Sequence, residues 1–193
     1  MLDEALSRRG FLKGAGALGL GALWPAVLAA AQDAAAARDA GAGFETLGAE
    51  DAADLSAIAA QIFPSDPALP GANEAGVVYF MDSALRGFMA ETREVVLGGL
   101  GALNRKAAAA APGARFAALP GEEQVKLLKA EENSPFFGLV RFMTVAGMFA
   151  LPSYGGNRDY AGWKMLGFEH RMAWLPPFGH YDAQATAKPG AKR

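Results

Sequence analysis

Asp54-Leu55-Ser56-Ala57-Ile58-Ala59-Ala60-Gln61-Ile62-Phe63-Pro64 is the stretch that decides the fold class. Leu55, Ile58, Ala59 and Ile62 recur at i, i+3, i+4 and i+7, the apolar stripe of an amphipathic helix. Glu50, Asp51 and Asp54 stand near its front end, where negative charge suits the helix dipole. Pro64 stops it.

The helical period continues downstream. Pro64-Ser65-Asp66-Pro67-Ala68-Leu69-Pro70-Gly71 is a rigid, turn-rich loop. Asn73 is then placed to cap a helix carrying Val77, Phe80, Met81, Ala84 and Leu85. A longer helix is predicted from Met89 to Ala110, weakened at its middle by Gly98, Gly99 and Gly101. Pro120-Gly121-Glu122-Glu123-Gln124 opens the next, with Val125, Leu127 and Leu128. Ser134-Pro135 starts another, with Ser at the N-cap and Pro at the first helical position. Phe137, Val140, Met143, Thr144, Gly147 and Met148 make up its apolar face. No stretch alternates like a strand with a hairpin turn. The expectation is one all-α domain of five or six helices over residues 44–182, with an extended aromatic C-terminal segment. A disordered tail is expected over 183–193.

Upstream lies a different kind of sequence. Ser7-Arg8-Arg9-Gly10-Phe11-Leu12-Lys13 precedes 18 uncharged residues from Gly14 to Ala31. Two adjacent arginines before a mild apolar run read as a twin-arginine signal peptide over residues 1–31, and so as periplasmic delivery. A retained membrane span is the rival. The Ala- and Gly-rich first half and Pro25 make the run weakly apolar, which favours cleavage. Gly14-Ala15-Gly16-Ala17-Leu18-Gly19 fits G-x-G-x-x-G but lacks the strand and helix of a nucleotide-binding unit. Residues 32–43 read as a flexible linker.

Removing the signal leaves about 160 residues, enough for one domain with a core. Three of the 18 basic residues and two of the 20 acidic ones lie in residues 1–31, which leaves 15 basic against 18 acidic. That balance offers no basic face for nucleic acid. The absence of cysteine excludes disulfides and thiolate ligands to an iron–sulfur cluster.

Catalytic signals are weak. His170 and His180 stand ten residues apart with no carboxylate at metal-ligand spacing. Ser65 and Ser153 sit in turns without a nucleophile elbow. Glu122/Glu123 and Glu131/Glu132 are sequence neighbours that point apart on a helix. Asp159, Glu169, His170 and His180 remain the residues a small hydrolase or lyase would have to use.

The informative block is Gly147-Met148-Phe149-Ala150-Leu151-Pro152-Ser153-Tyr154-Gly155-Gly156-Asn157-Arg158-Asp159, followed by Gly162-Trp163-Lys164-Met165-Leu166-Gly167-Phe168. Pro152 ends the helix, and Gly155-Gly156 makes a sharp turn that can reach positive φ. Asn157 can cap a short helix running through Asp159 and Trp163. Either this is a helix-connecting corner with Tyr154 and Trp163 packed inside, or it is a docking surface. Eleven of the 19 aromatic residues fall between Phe136 and Tyr181. With Trp174, Arg171 and Pro176-Pro177, that composition leans towards an interface.

This block, with Ile62-Phe63-Pro64, Asp66, Pro70-Gly71-Ala72 and Ala75-Gly76-Val77, resembles the small subunit (subunit 3) of gluconate 2-dehydrogenase and related flavin-dependent sugar dehydrogenases. The resemblance spans residues 45–170. It departs at Glu169-His170, where the family often carries a proline. The resemblance implies a non-catalytic accessory role, with no cofactor held by this chain. FAD would sit in a large GMC-type catalytic subunit, with an iron–sulfur cluster or a haem as further cofactors of partner subunits. A cytochrome c subunit and the twin-arginine translocase would be the other partners, and the complex would be periplasmic, associated with the inner membrane. Tyr154, Gly155, Gly156, Asn157, Asp159, Trp163 and Trp174 are the expected interface or structural residues. A free-standing sugar-binding module is the alternative.

Overall fold

The computed structural model describes residues 35–170 and residue 179. The export motif (Ser7, Arg8, Arg9, Phe11, Leu12, Lys13), Trp174, His180 and the 183–193 tail lie outside the described residues. The described part is all-α. Its helices are α1 (Ala49–Ile62), α2 (Val77–Arg86), α3 (Arg93–Ala110), α4 (Gly121–Glu131), α5 (Pro135–Phe149) and α6 (Ala161–Met165). Residues 35–40 are helical as well. Short 3₁₀ turns at Ala90–Thr92, Phe116–Ala118, Pro152–Tyr154 and Arg158–Tyr160 join them.

α5 is the hub, packing against each of the other five helices. Ser134 starts it as expected: its hydroxyl accepts from the Phe137 N–H at 3.1 Å, and Pro135 occupies the first turn. The buried face is Phe136, Val140, Met143, Thr144, Gly147 and Met148. Phe136 takes the place the sequence gives to Phe137, which is only partly buried. It presses on Gly99 of α3, where an added Cβ would lie 2.3 Å from the Phe136 ring. Gly99 thus costs α3 about 1 kcal/mol of helix propensity but permits the α3–α5 contact. Leu55 and Ile58 of α1, Met81 and Leu85 of α2, and Leu100 and Leu103 of α3 complete the core, each at most 1% exposed. Each such side chain contributes roughly 1.5–3 kcal/mol by burial.

Three local expectations need correction. Asn73 does not cap α2. Its carbonyl accepts from the Gly76 N–H at 3.0 Å inside a preceding turn, and Gly76, at φ 70°, is the residue that leads into the helix. Asp54, expected only to suit the dipole at the front of α1, is fully buried and carries a hydrogen-bond network instead. It accepts from Asn104 Nδ2 at 2.8 Å, from Arg115 Nε and Nη2 at 2.9 and 2.6 Å, and from the Ala117 N–H at 2.9 Å. A buried carboxylate is tolerable only with such a full set of donors. Finally, the segment expected to be a flexible linker over 32–43 is helical at 35–40, and Arg38 within it is 5% exposed. Asp82 seats the following residues by accepting from the N–H groups of Glu45, Thr46 and Leu47 at 2.8–3.0 Å.

Candidate functional site

The chain leaves α5 at Phe149 and turns back within a dozen residues into α6. Pro152 opens a 3₁₀ turn rather than terminating α5, which has already ended. The turn needs unusual backbone. Gly155 stands at φ 98°, and Asn157, Asp159 and Tyr160 stand at φ 46°, 55° and 59°. Three non-glycine residues in the left-handed region cost on the order of 1–3 kcal/mol each, so surrounding contacts must hold them.

Asn157 supplies much of that hold. It is wholly buried, donates from Nδ2 to the Ala150 carbonyl at 2.8 Å, and accepts at Oδ1 from the Gly162 N–H at 2.9 Å. The cap expected of Asn157 therefore acts on α6, at Gly162; this helix holds Trp163, while Asp159 lies in the 3₁₀ turn before it. Trp163 Nε1 donates to the Phe149 carbonyl at 2.8 Å. Between them Asn157 and Trp163 satisfy two carbonyls that the end of α5 leaves without helical partners. Gly156 has no room for a side chain, since a Cβ there would lie 2.1 Å from the Gly147 carbonyl oxygen.

The corner also gathers the earlier motif. The Arg158 N–H donates to the Ala75 carbonyl at 3.0 Å. Arg38 Nη1 donates to the carbonyls of Pro152 at 3.2 Å and Gly156 at 2.6 Å, and its Nε donates to Asp39 Oδ1 at 2.8 Å. Arg158 Nη2 returns a hydrogen bond to the Arg38 carbonyl at 2.8 Å. The hydrogen bond from Arg38 holds the Asp39 carboxyl below its ordinary value, with both arginine charges adding to the effect. In the preceding loop, Glu74 accepts from the Ser65 hydroxyl and from the Gly71 N–H at 2.9 Å, and its carboxyl is lowered first by Ser65.

One face of the corner remains open. Tyr160 stacks on Trp163 with ring centres 5.2 Å apart, His170 stacks on Tyr160 at 5.6 Å, and Phe168 meets Trp163 edge-on at 5.3 Å. Tyr160, Lys164, Gly167, Phe168, Glu169 and His170 line a groove of about 490 Å³. Tyr160, Leu166 and Phe168 are 40%, 67% and 45% exposed. Tyr154 is half-buried against the core, and Asp159 is exposed. The expected residues thus divide by role: Gly155, Gly156 and Asn157 build the corner, while Trp163 both builds it and packs against the rings of Tyr160, Phe168 and His170.

A scan against family models matches residues 49–169 to gluconate 2-dehydrogenase subunit 3. The chain belongs to this family. Neither curated proteins nor solved structures gave a match. The matched span of this subunit 3 chain runs from the start of α1 to the groove, so it covers the core and the corner alike. Membership makes the chain a subunit of a dehydrogenase complex and supports association with the other subunits.

Sequence reasoning missed Arg38, Asp54 and Tyr160. Arg38 sits in an alanine-rich stretch that reads as linker, and Asp54 reads as one of three acidic residues at a helix front. Tyr160 carried no local sign of its left-handed backbone. Among the described residues, no group of three or more imidazole or carboxylate side chains converges as metal ligands would.

Proposed function

We propose that this chain is the non-catalytic small subunit of a periplasmic, FAD-dependent sugar or sugar-acid dehydrogenase. It binds and stabilises the large catalytic subunit and escorts it through the twin-arginine route. The observation that carries the reading is the exposed aromatic groove at Tyr160, Phe168 and His170, whose Tyr160 and Phe168 lie inside the span that matches the subunit family. Aromatic side chains that stay exposed beside a rigid turn suit a protein interface, because they bury large area at little entropic cost. The Arg8-Arg9 pair supports the export half of the reading, and FAD belongs to the partner. On this reading Asp159, Glu169 and His170 are surface residues at the interface, not an acid–base set.

A sugar-binding module would also use aromatic rings. Here the stacking positions on Tyr160 and Trp163 are taken by one another and by His170. Docking of a protein surface over the cluster is therefore the better fit.

The test is co-expression of the catalytic subunit with and without this chain. Active catalytic subunit should reach the periplasm only with it, and replacing Arg8-Arg9 by Lys-Lys should hold both in the cytoplasm. Equal activity and equal export without this chain would remove the proposal. Calorimetry of the isolated chain with a panel of sugars should show no binding; a clear isotherm would favour the module instead.

A further inference from the structure

Arg38 sits in a socket that no nearby sequence builds. Its guanidinium bonds Pro152 and Gly156, which lie 114 and 118 residues downstream, and its carbonyl accepts from Arg158. Gly76 admits the aliphatic stem, since a Cβ at that position would lie 2.6 Å from Arg38 Cδ. Removing a guanidinium from water costs several kcal/mol unless its donors are met. The socket meets them with two carbonyls and the Asp39 carboxylate. The two carbonyls are not in place until the α5–α6 corner has folded.

We propose that residues 35–40 form a latch that closes only on the folded corner, so that accessibility of this segment reports the state of the corner. Closed, the Arg38–Asp39 bond lies in a helical turn with its arginine buried. Open, it lies in an alanine- and glycine-rich chain that any protease can extend. The latch stands on this geometry alone; its use in export rests on the reading above. Placed within a few residues of the 1–31 segment, it would separate chains with a finished corner from chains without one before a route that carries folded cargo.

Trypsin reads the latch, because it cuts after arginine. The full chain and a synthetic peptide of residues 32–44 are digested side by side, and cleavage after Arg38 is followed by mass spectrometry. The bond in the full chain should be cut at least about tenfold more slowly than in the peptide, as local opening controls access. Arg158→Ala should reduce that protection by about tenfold while leaving the helical circular dichroism of the chain in place. Asp39→Asn, at a 60% exposed carboxylate that cannot unfold the core, should weaken protection in the same direction. Each variant is compared with its own peptide, since residue 39 also affects trypsin directly. Cleavage of the full chain at the peptide's rate would overturn the latch, as would full protection in both variants. Intact protection together with export that ignores Arg8-Arg9 would sink the escort reading and leave the latch standing.

Discussion

Arg38 Nη1 lies 2.6 Å from the carbonyl oxygen of Gly156, a contact that closes a loop of 118 residues. The contact exists because Gly156 carries no side chain and its backbone lies flat against Gly147. The corner between α5 and α6 is thus sandwiched between a helix backbone on one side and an arginine from the start of the domain on the other.

Gly156→Ala should test the first half of that sandwich. Its Cβ would meet the Gly147 carbonyl at 2.1 Å, backbone against which nothing can rotate away. The expected loss is about 3 kcal/mol, at the upper end of overpacking penalties, read from urea unfolding. Gly138→Ala is the control. It faces open space on α5, so it should be neutral or stabilise by up to about 1 kcal/mol.

Asn157→Ala should cost about 2–4 kcal/mol, because it leaves the Ala150 carbonyl and the Gly162 N–H without partners. Asn157→Asp keeps the acceptor but loses the donor to Ala150, and should unfold at nearly as low a urea concentration. A midpoint for Asn157→Asp equal to wild type would show that the amide donor does not matter.

Asp54→Ala should be the most damaging substitution on α1, with an expected loss of about 3–5 kcal/mol as a buried partner is removed from Arg115, Asn104 and Ala117. Glu50→Ala removes an exposed partner of the same arginine and should change stability by less than about 1 kcal/mol. Thermal unfolding of the two variants side by side measures the contrast.

Phe168→Ser should separate binding from folding. The ring is 45% exposed and stands outside the core, so the unfolding midpoint should move little. Affinity for the catalytic subunit, measured by interferometry, should fall by tenfold or more, as expected for an aromatic anchor worth over about 1.4 kcal/mol. Unchanged affinity would remove the groove from the interface.

Acid should loosen the corner and the α1–α2 loop. The carboxyls of Asp39 and Glu74 are lowered in the folded chain, chiefly by the hydrogen bonds from Arg38 and Ser65. A lowered carboxyl contributes stability that is present above its unfolded value and is lost as pH falls through its folded one. The contribution should therefore be intact at neutral pH and fade below about pH 4. Asp39→Asn combined with Glu74→Gln should flatten the acid limb of the stability profile. An acid limb as steep as that of wild type would assign it to other groups.

The helices were legible from residues close in sequence. The stripe at Leu55, Ile58, Ala59 and Ile62 and the Ser134-Pro135 start each depend on neighbours within one or two turns, and both stand as read. The Gly155-Gly156 turn was legible for the same reason, since only glycine reaches φ 98° cheaply. Asn73 misled because a cap depends on which N–H groups are free, and the turn from Gly71 to Gly76 had already used them.

The sequence by itself determined the all-α class, the helix order and the corner's position, because periodicity and turn chemistry are local. Only the tertiary structure decided that Asp54 and Arg38 are buried, that Asn157 and Trp163 cap the end of α5, and that Tyr160 and Phe168 stay outside. A polar or aromatic side chain carries no local mark of its partners. For Asp54 and Arg38, whether the side chain ends in solvent or in a socket depends on donors and acceptors that folding brings from about 60 to 120 residues away.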